Sequence, residues 1–410
     1  MVNGPLDGIT VLDFSLAMSG PFAAQKLGDM GAKVIKIEPT GDGEWHRTRA
    51  AGDAWVNKLN ASFISFNRNK ESLSVDLKTA EGKLIVEKLI QQADVVLQNF
   101  RPGVAQRLGI DYESCRKLNE SIVYCSITGF GETGPLAMRP GQDLVLQGYS
   151  GAMWNIGTRH DPPLPVAMFV ADATSAHMAV EGILAALFYR ERTGKGQKVE
   201  VNMLNAVMDM QIQELTVFLT TGIKPVRTEE PLAHSLLTAP YGIYRTKDGY
   251  MTLSIGPIHV LGEALDNDRL RSFTKWSDGM EHRDEIYRIV AEILPTRTTR
   301  EWIELLEKYN YWAGPVYDYD DLVRDPQVQH NRMIVELDHP TEGRLKVLGI
   351  PIGFSETPGT IRHYPPLVGE QTVPILESIG FSREQINDWL ERGIVHDETR
   401  GETKKGEDNR

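Results

Sequence analysis

Apolar and polar positions alternate in two textures along the first 200 residues. Residues 9–15 (ITVLDFS) are a short apolar run bounded by turn formers, which predicts a strand. Residues 20–31 (GPFAAQKLGDMG) follow, with Pro21 suited to a first helical turn and Gly31 to a helix end. Residues 32–39 (AKVIKIEP) then read as a second strand stopped by Pro39. Strand, helix and strand at this spacing predict a parallel βαβ unit, because parallel neighbours need a long crossover. The alternation continues with strands at 72–77, 94–100 and 121–129 and a helix over 79–92, so this half predicts a doubly wound α/β sheet.

In residues 169–187 (FVADATSAHMAVEGILAAL) apolar side chains recur at three- and four-residue steps, at Ala176, Ala179, Ile183 and Leu187. This is a helix with one apolar face, ended by Gly194, and the alternating QKVEVNML predicts a strand after it. Near residue 220 the texture changes to a stretch rich in turn formers and charges, TGIKPVRTEEPLAHS. A hairpin over 239–255, turning at Lys247-Asp248-Gly249, and helices near 283–294 and 299–309 come next, the second opened by the capping box Thr298…Glu301. From Val335 strands and Pro-rich connections return, and a last helix runs from Ser382 (boxed by Gln385) to Gly393. The expected division is a large domain from residues 1–222 and 326–396, a smaller inserted α+β domain at 223–325, and a disordered tail at 397–410.

Composition narrows the function classes. The 410 residues suffice for a sizeable core, and the formal net charge of −12 argues against a general nucleic-acid binder. Two cysteines, Cys115 and Cys125, exclude a disulfide framework and a cysteine-rich metal site. No H-E-x-x-H or paired C-x-x-C pattern exists, so no metal site is expected. The first residues lack a basic segment ahead of an apolar one, and no apolar run approaches a membrane span, so a cytoplasmic protein is expected.

Several familiar motifs are absent. There is no Walker A pattern, and the first βα turn, DFSLAMSGP, lacks G-x-G-x-x-G. Two short patterns have bland readings. GYSGA (148–152) misses the nucleophile elbow at Ala152, which disfavours Ser150 as a hydrolase nucleophile. RTGKGQK (192–198) comes after a helix instead of preceding one, so it reads as a helix end and a solvated turn. One acid stands out: Asp172, where an apolar run gives way to the small-residue helix. Its local reading is an N-cap; its chemical reading is a reactive carboxylate.

Several segments together resemble one family. They are LDFSLAMSGPFAAQKLGDMGAKVIKIEP (12–39), FNRNKESLSVDLKTAEG (66–82), NFRPGVAQRLG (99–109), GFGETGP (129–135), DLVLQGYSG (143–151) and ADATSAHMAVEGILAALFYRERTGKGQKVEVNML (171–204). APYGIYRTKDGY (239–250), GPV with DPQ (314–316, 325–327) and PPLVGEQT (365–372) continue the series in order. In their number and order they resemble class III (CaiB/BaiF-type) CoA-transferases, over about residues 5–395. The resemblance implies a Rossmann-like large domain built from both chain ends, a smaller domain between, and an interlocked homodimer. It implies transfer of CoA from an acyl-CoA to a carboxylic acid, with CoA as substrate and no permanently bound cofactor. It also implies that Asp172 is the nucleophile, passing through a mixed anhydride and an aspartyl-CoA thioester, a route that needs no nucleotide. Its CoA-contacting positions fall on Ala17, Met18, Ser19, Val75, Lys78, Asn99, Phe100, Arg101, Arg107, Leu108 and Arg139. Arg101 and Arg107 suit phosphate, although exposed arginines and a plain core role for Val75 are the alternatives.

Two departures from the family pattern bear on the reaction. Related racemases place a histidine just before the acid where this chain has Gln142-Asp143, which argues against α-carbon racemisation on the same scaffold. The glycine-rich loop of oxalate-type members corresponds to SIGPIHV (254–260), with one glycine, and a glutamine of some members to Met18; both point to a different acceptor acid. The alternative from another class is a non-catalytic CoA-binding subunit of a hetero-oligomer.

Overall fold

The computed structural model of the chain describes residues 4–49 and 51–400. Six strands run parallel in one sheet: β1 (Thr10–Asp13), β2 (Lys33–Glu38), β3 (Lys70–Val75), β4 (Val95–Gln98), β5 (Val123–Thr128) and β6 (Lys198–Asn202). Their order is β3-β2-β1-β4-β5-β6, and a short C-terminal strand at Val395–His396 closes the β3 edge antiparallel. This is the doubly wound order, in which the winding direction reverses between β1 and β4 and leaves a crevice at their C-terminal ends. Most strand residues are buried, as expected where helices cover both faces.

One face of the sheet (Leu12, Ile35, Leu73, Val96, Tyr124) packs against Ile85, Val86, Leu89 and Ile90. These last four sit on the helix Ala80–Gln92, which Thr79 caps by accepting the Gly82 N–H. Ile375, Leu376, Ile386 and Trp389, from the C-terminal helices Thr372–Ser378 and Arg383–Glu391, complete the same cluster. The large core therefore needs both chain ends. The helices α1 (Ser19–Asp29) and, after α2 (Asp143–Tyr149), the long α3 (Val170–Thr193) pack on each other, and α3 also packs on β5 and β6. Its buried stripe is small (Ala171, Ser175, Ala176, Ala179, Ala186), with Val180 and Ile183. A side chain added at Gly182 would stand 2.5 Å from Val199 Cγ1 on β6, so the small residues let helix and strand approach closely.

The chain divides into two compact units. The first holds the sheet and takes residues up to Leu146, Val170–Ala206 and Gln327 onward; the second takes Gln147–Phe169 and Val207–Pro326. The second unit is a three-stranded antiparallel sheet, Gly242–Arg245, Tyr250–Leu253 and Ala313–Pro315, under helices that bury Leu261, Ile286, Val290, Trp302 and Leu306. Both expected capping boxes form, at Thr298–Glu301 and Ser382–Gln385. The unit begins earlier than the change of texture near residue 222. Gln211 donates to the Ser150 carbonyl (3.3 Å), Glu214 pairs with His234 (2.8 Å) and the Arg159 N–H donates to Thr228 (2.8 Å), which ties 147–169 and 207–222 to the remainder of the second unit. Residues 397–400 do not belong to the expected disordered tail. Glu398 donates its N–H to Val368, and Asp397 accepts from Thr399, so residues up to 400 are hydrogen-bonded; 401–410 lie outside the described residues.

Gly182→Ala should lower stability by about 1–3 kcal/mol through overpacking against β6. In urea unfolding, the pair Gly182→Ala with Val199→Ala should be more stable than the sum of the two single changes, because the second opens room for the first.

Candidate active site

The first turn of α3 carries the reactive candidate. A helix start exposes N–H groups without intrahelical acceptors, and some side chain normally satisfies them. Here that side chain is Asp143, the first residue of α2: its Oδ2 accepts the N–H of Ala171 at 2.7 Å and of Asp172 at 3.2 Å. Asp172 is the third residue of the helix and does not cap it. Its carboxylate instead receives the hydroxyl and the backbone N–H of Ser19, the first residue of α1. The local reading of Asp172 as an N-cap is thereby corrected: a residue 29 positions upstream performs that role. Nothing in the sequence near Asp172 signals this, since the two acids meet only when α2 and α3 are in place.

Burial raises the Asp172 pKa to about 6, and the negative charge of Asp143 adds to the rise; the Ser19 hydrogen bonds oppose both. The result is a carboxylate ionised at neutral pH yet more basic than an ordinary aspartate, hence a better nucleophile.

Ser19 is set by the turn after β1. Asn99, just beyond β4, accepts the Leu16 N–H at 2.8 Å, returns its amide N–H to the Leu16 carbonyl at 2.8 Å and donates to Ser19 Oγ at 3.3 Å. The crevice between β1 and β4 is thus bridged at its mouth; of the expected CoA positions, Ser19 reaches Asp172 and Asn99 reaches Ser19. The other positions scatter. Val75 has its side chain in the core, and Phe100 and Leu108 pack against that core. Lys78, Arg101, Arg107 and Arg139 are not buried with them. Phe100 and Arg101 line a cleft of about 210 Å³, shared with Gln98, Tyr124, Ser126 and Lys198, that lies over β5 and the end of β4.

The two decoy motifs have structural explanations. Ser150 is buried and donates to the Gln147 carbonyl at 2.8 Å. Gly194 ends α3 with φ of 72°, and a side chain at Gly196 would stand 2.0 Å from the Ile122 carbonyl oxygen. Among the described residues no group of three or more His, Cys, Asp or Glu is placed to hold a metal, and no helix is long and apolar enough to cross a membrane.

Comparison with known proteins settles the family. The family model of CoA-transferase family III matches residues 6–372. The chain belongs to CoA-transferase family III. It is 31% identical over 398 residues to the human succinyl-CoA:glutarate CoA-transferase, covering 95% of this chain and 90% of the relative. It is 33% identical to the succinate–glutarate CoA-transferase of Agrobacterium fabrum, covering 92% and 96%. To the formyl-CoA:oxalate CoA-transferase of Streptomyces avermitilis it is 30% identical, covering 95% and 99%. Among solved structures, a CaiB/BaiF family protein from Brucella suis superposes with a TM-score of 0.82 at 31% identity, covering 92% of this chain and all of that one. As a member of this family the chain is a transferase enzyme that acts on CoA thioesters.

The carboxylate pair has two consequences for pH dependence. The acid limb of kcat/KM should lie near pH 6, and Asp143→Asn, which keeps an oxygen acceptor for the helix N–H groups but removes the charge, should move it to lower pH. The folded-state pKa of Asp172 is raised, so its contribution to stability is present below about pH 4 and lost as pH rises through about 6. Asp172→Asn lacks that loss, and its Tm advantage over the wild type should therefore grow across this interval.

Proposed function

We propose that the chain transfers CoA from an acyl-CoA to a carboxylic acid through a covalent intermediate on Asp172. The observation that carries this reading is the division of labour at α3: Asp143 satisfies the helix, so the basic Asp172 carboxylate is available to react. The carboxylate attacks the thioester carbonyl and expels CoA thiolate, leaving an acyl–aspartyl anhydride. The thiolate returns to the aspartyl carbonyl, the donor acid departs, and Asp172 carries CoA as a thioester. The acceptor carboxylate then attacks that carbonyl, and the expelled thiolate attacks the acceptor's acyl carbon, which restores Asp172. Ser19 would donate to the oxygen on which negative charge develops, and α1, which begins at Ser19, adds the favourable end of its dipole. The relatives are named for glutarate, succinate and oxalate, so small dicarboxylic acids are the acceptors to test first.

The reading includes a homodimer. The helix Ile212–Thr221 buries none of its residues, and Met210, Ile212, Leu219 and Ile223 are each more than half exposed. Apolar surface of this kind calls for a covering partner, and a second copy of the chain fits the family's assembly.

Incubation with an acyl-CoA and hydroxylamine should convert Asp172 to a hydroxamate, found by peptide mass, and Asp172→Ala should abolish both the adduct and turnover. A wild-type protein that turns over acyl-CoA and acid with no adduct anywhere would exclude the covalent route. Light scattering should give about twice the chain mass of 45.9 kDa.

A further inference from the structure

The turn after β1 holds a conformation that its own residues disfavour. Ala17 has φ of 64°, a left-handed backbone that L side chains resist. Such a residue persists only where its surroundings over-determine it. We propose that Glu44 is a positioning residue for CoA transfer: its carboxylate holds the Ala17 N–H and thereby keeps Ser19, two residues on, aimed at Asp172.

Glu44 Oε2 accepts the Ala17 N–H at 2.8 Å. The Glu44 side chain is buried, and Lys36 Nζ lies 3.0 Å from its other oxygen. Lys36 also donates to the Ser15 carbonyl at 3.0 Å, one residue before the Asn99 clamp on Leu16. The Glu44 N–H donates to Glu38 (3.2 Å), whose carboxylate Arg47 chelates at 2.8 and 2.6 Å. Asp13 accepts the Ser15 N–H at 2.9 Å and pairs with Lys70 at 2.8 Å. Three acids and three bases are therefore buried below one five-residue turn. Packing alone does not call for them, because apolar residues of similar volume are often as stable as buried ion pairs. What a buried carboxylate adds is a strong, fixed acceptor under a strained N–H. The turn also has no slack: a side chain at Gly20 would stand 2.1 Å from Ser15 Cβ.

The inference rests on Asp172 as the nucleophile, and the experiment separates the two. The rate at which an acyl-CoA labels Asp172 is measured by peptide mass across pH, with the KM for acyl-CoA, in the wild type, Glu44→Ala, Glu44→Gln, Ala17→Gly and Glu44→Ala with Ala17→Gly. Among the described residues the charged group acting on Asp172 is Asp143, which none of these variants touches. Glu44→Ala should slow labelling by about tenfold or more, with the maximal rate falling by more than KM rises, since misplacing a group at the reacting centre costs rate more than binding. The acid limb should also move to higher pH, because the Ser19 donors no longer favour the ionised carboxylate. Glycine takes the left-handed conformation without penalty, so adding Ala17→Gly should recover much of the rate. Glu44→Gln, a neutral and weaker acceptor, should fall between wild type and Glu44→Ala. Wild-type labelling and limb in folded Glu44→Ala would overturn the proposal. So would a loss that matches the unfolded fraction by circular dichroism, with limb and KM unchanged and no recovery on adding Ala17→Gly. Should Glu44→Ala fail to fold, Glu44→Gln with and without Ala17→Gly decides: slowed labelling that glycine restores supports the role, and wild-type labelling or an unrestored loss overturns it. An unlabelled Asp172 in the wild type removes the nucleophile reading, and this inference with it, before any variant is compared.

Discussion

Two carboxylates meet at the first turn of α3, and the hydrogen-bonding demands of a helix start assign them different work. The exposed N–H groups of Ala171 and Asp172 need an acceptor, and Asp143 supplies it. Had Asp172 capped its own helix, its carboxylate would be held by strong donors and be a poorer nucleophile. Because the cap comes from another element, the donor acting on Asp172 among the described residues is Ser19, with a like charge alongside and burial disfavouring its ionised form. The geometry of α2 against α3 therefore governs the basicity of the residue on which the proposed reaction runs.

The sheet is arranged to hold this pair. The small stripe of α3 lets it sit close on β5 and β6, and the crevice at the β1–β4 reversal brings the Ser19 turn to the same helix end. Beneath that turn, β1, β2 and β3 place Asp13, Lys36, Glu38 and Lys70 inside. Burial pushes the Lys70 ammonium down to about 8 against the pull of Asp13, so the pairs stay charged at neutral pH only because they are matched. Such a foundation is stiff, since no member can leave without stranding another.

Much of the fold was legible along the chain. The six parallel strands, the helix Ala80–Gln92, the long α3 ended by Gly194 and both capping boxes lie where apolar periodicity and turn chemistry put them, within a few residues. Those signals are local, and local signals survive in a linear reading. The unit boundaries were less legible, because 147–169 and 207–222 are tied to the second unit by long-range bonds such as Gln211 to Ser150. The buried charges did leave a trace: Lys36 and Glu38 sit two apart in an apolar strand, on the same face as each other. A salt-linked interior was one inference available from that spacing; its connection to Glu44, outside any strand, was not.

The sequence by itself determined the α/β class, the order of the elements and the family, because hydrophobic period and motif order are written in one dimension. Only the tertiary structure decided which acid caps the helix, which of the expected CoA positions pack in the core, and which acceptor the Ala17 N–H finds. Those are contacts between residues 27 to 83 positions apart, and hydrogen-bond donors choose their acceptors by distance in space.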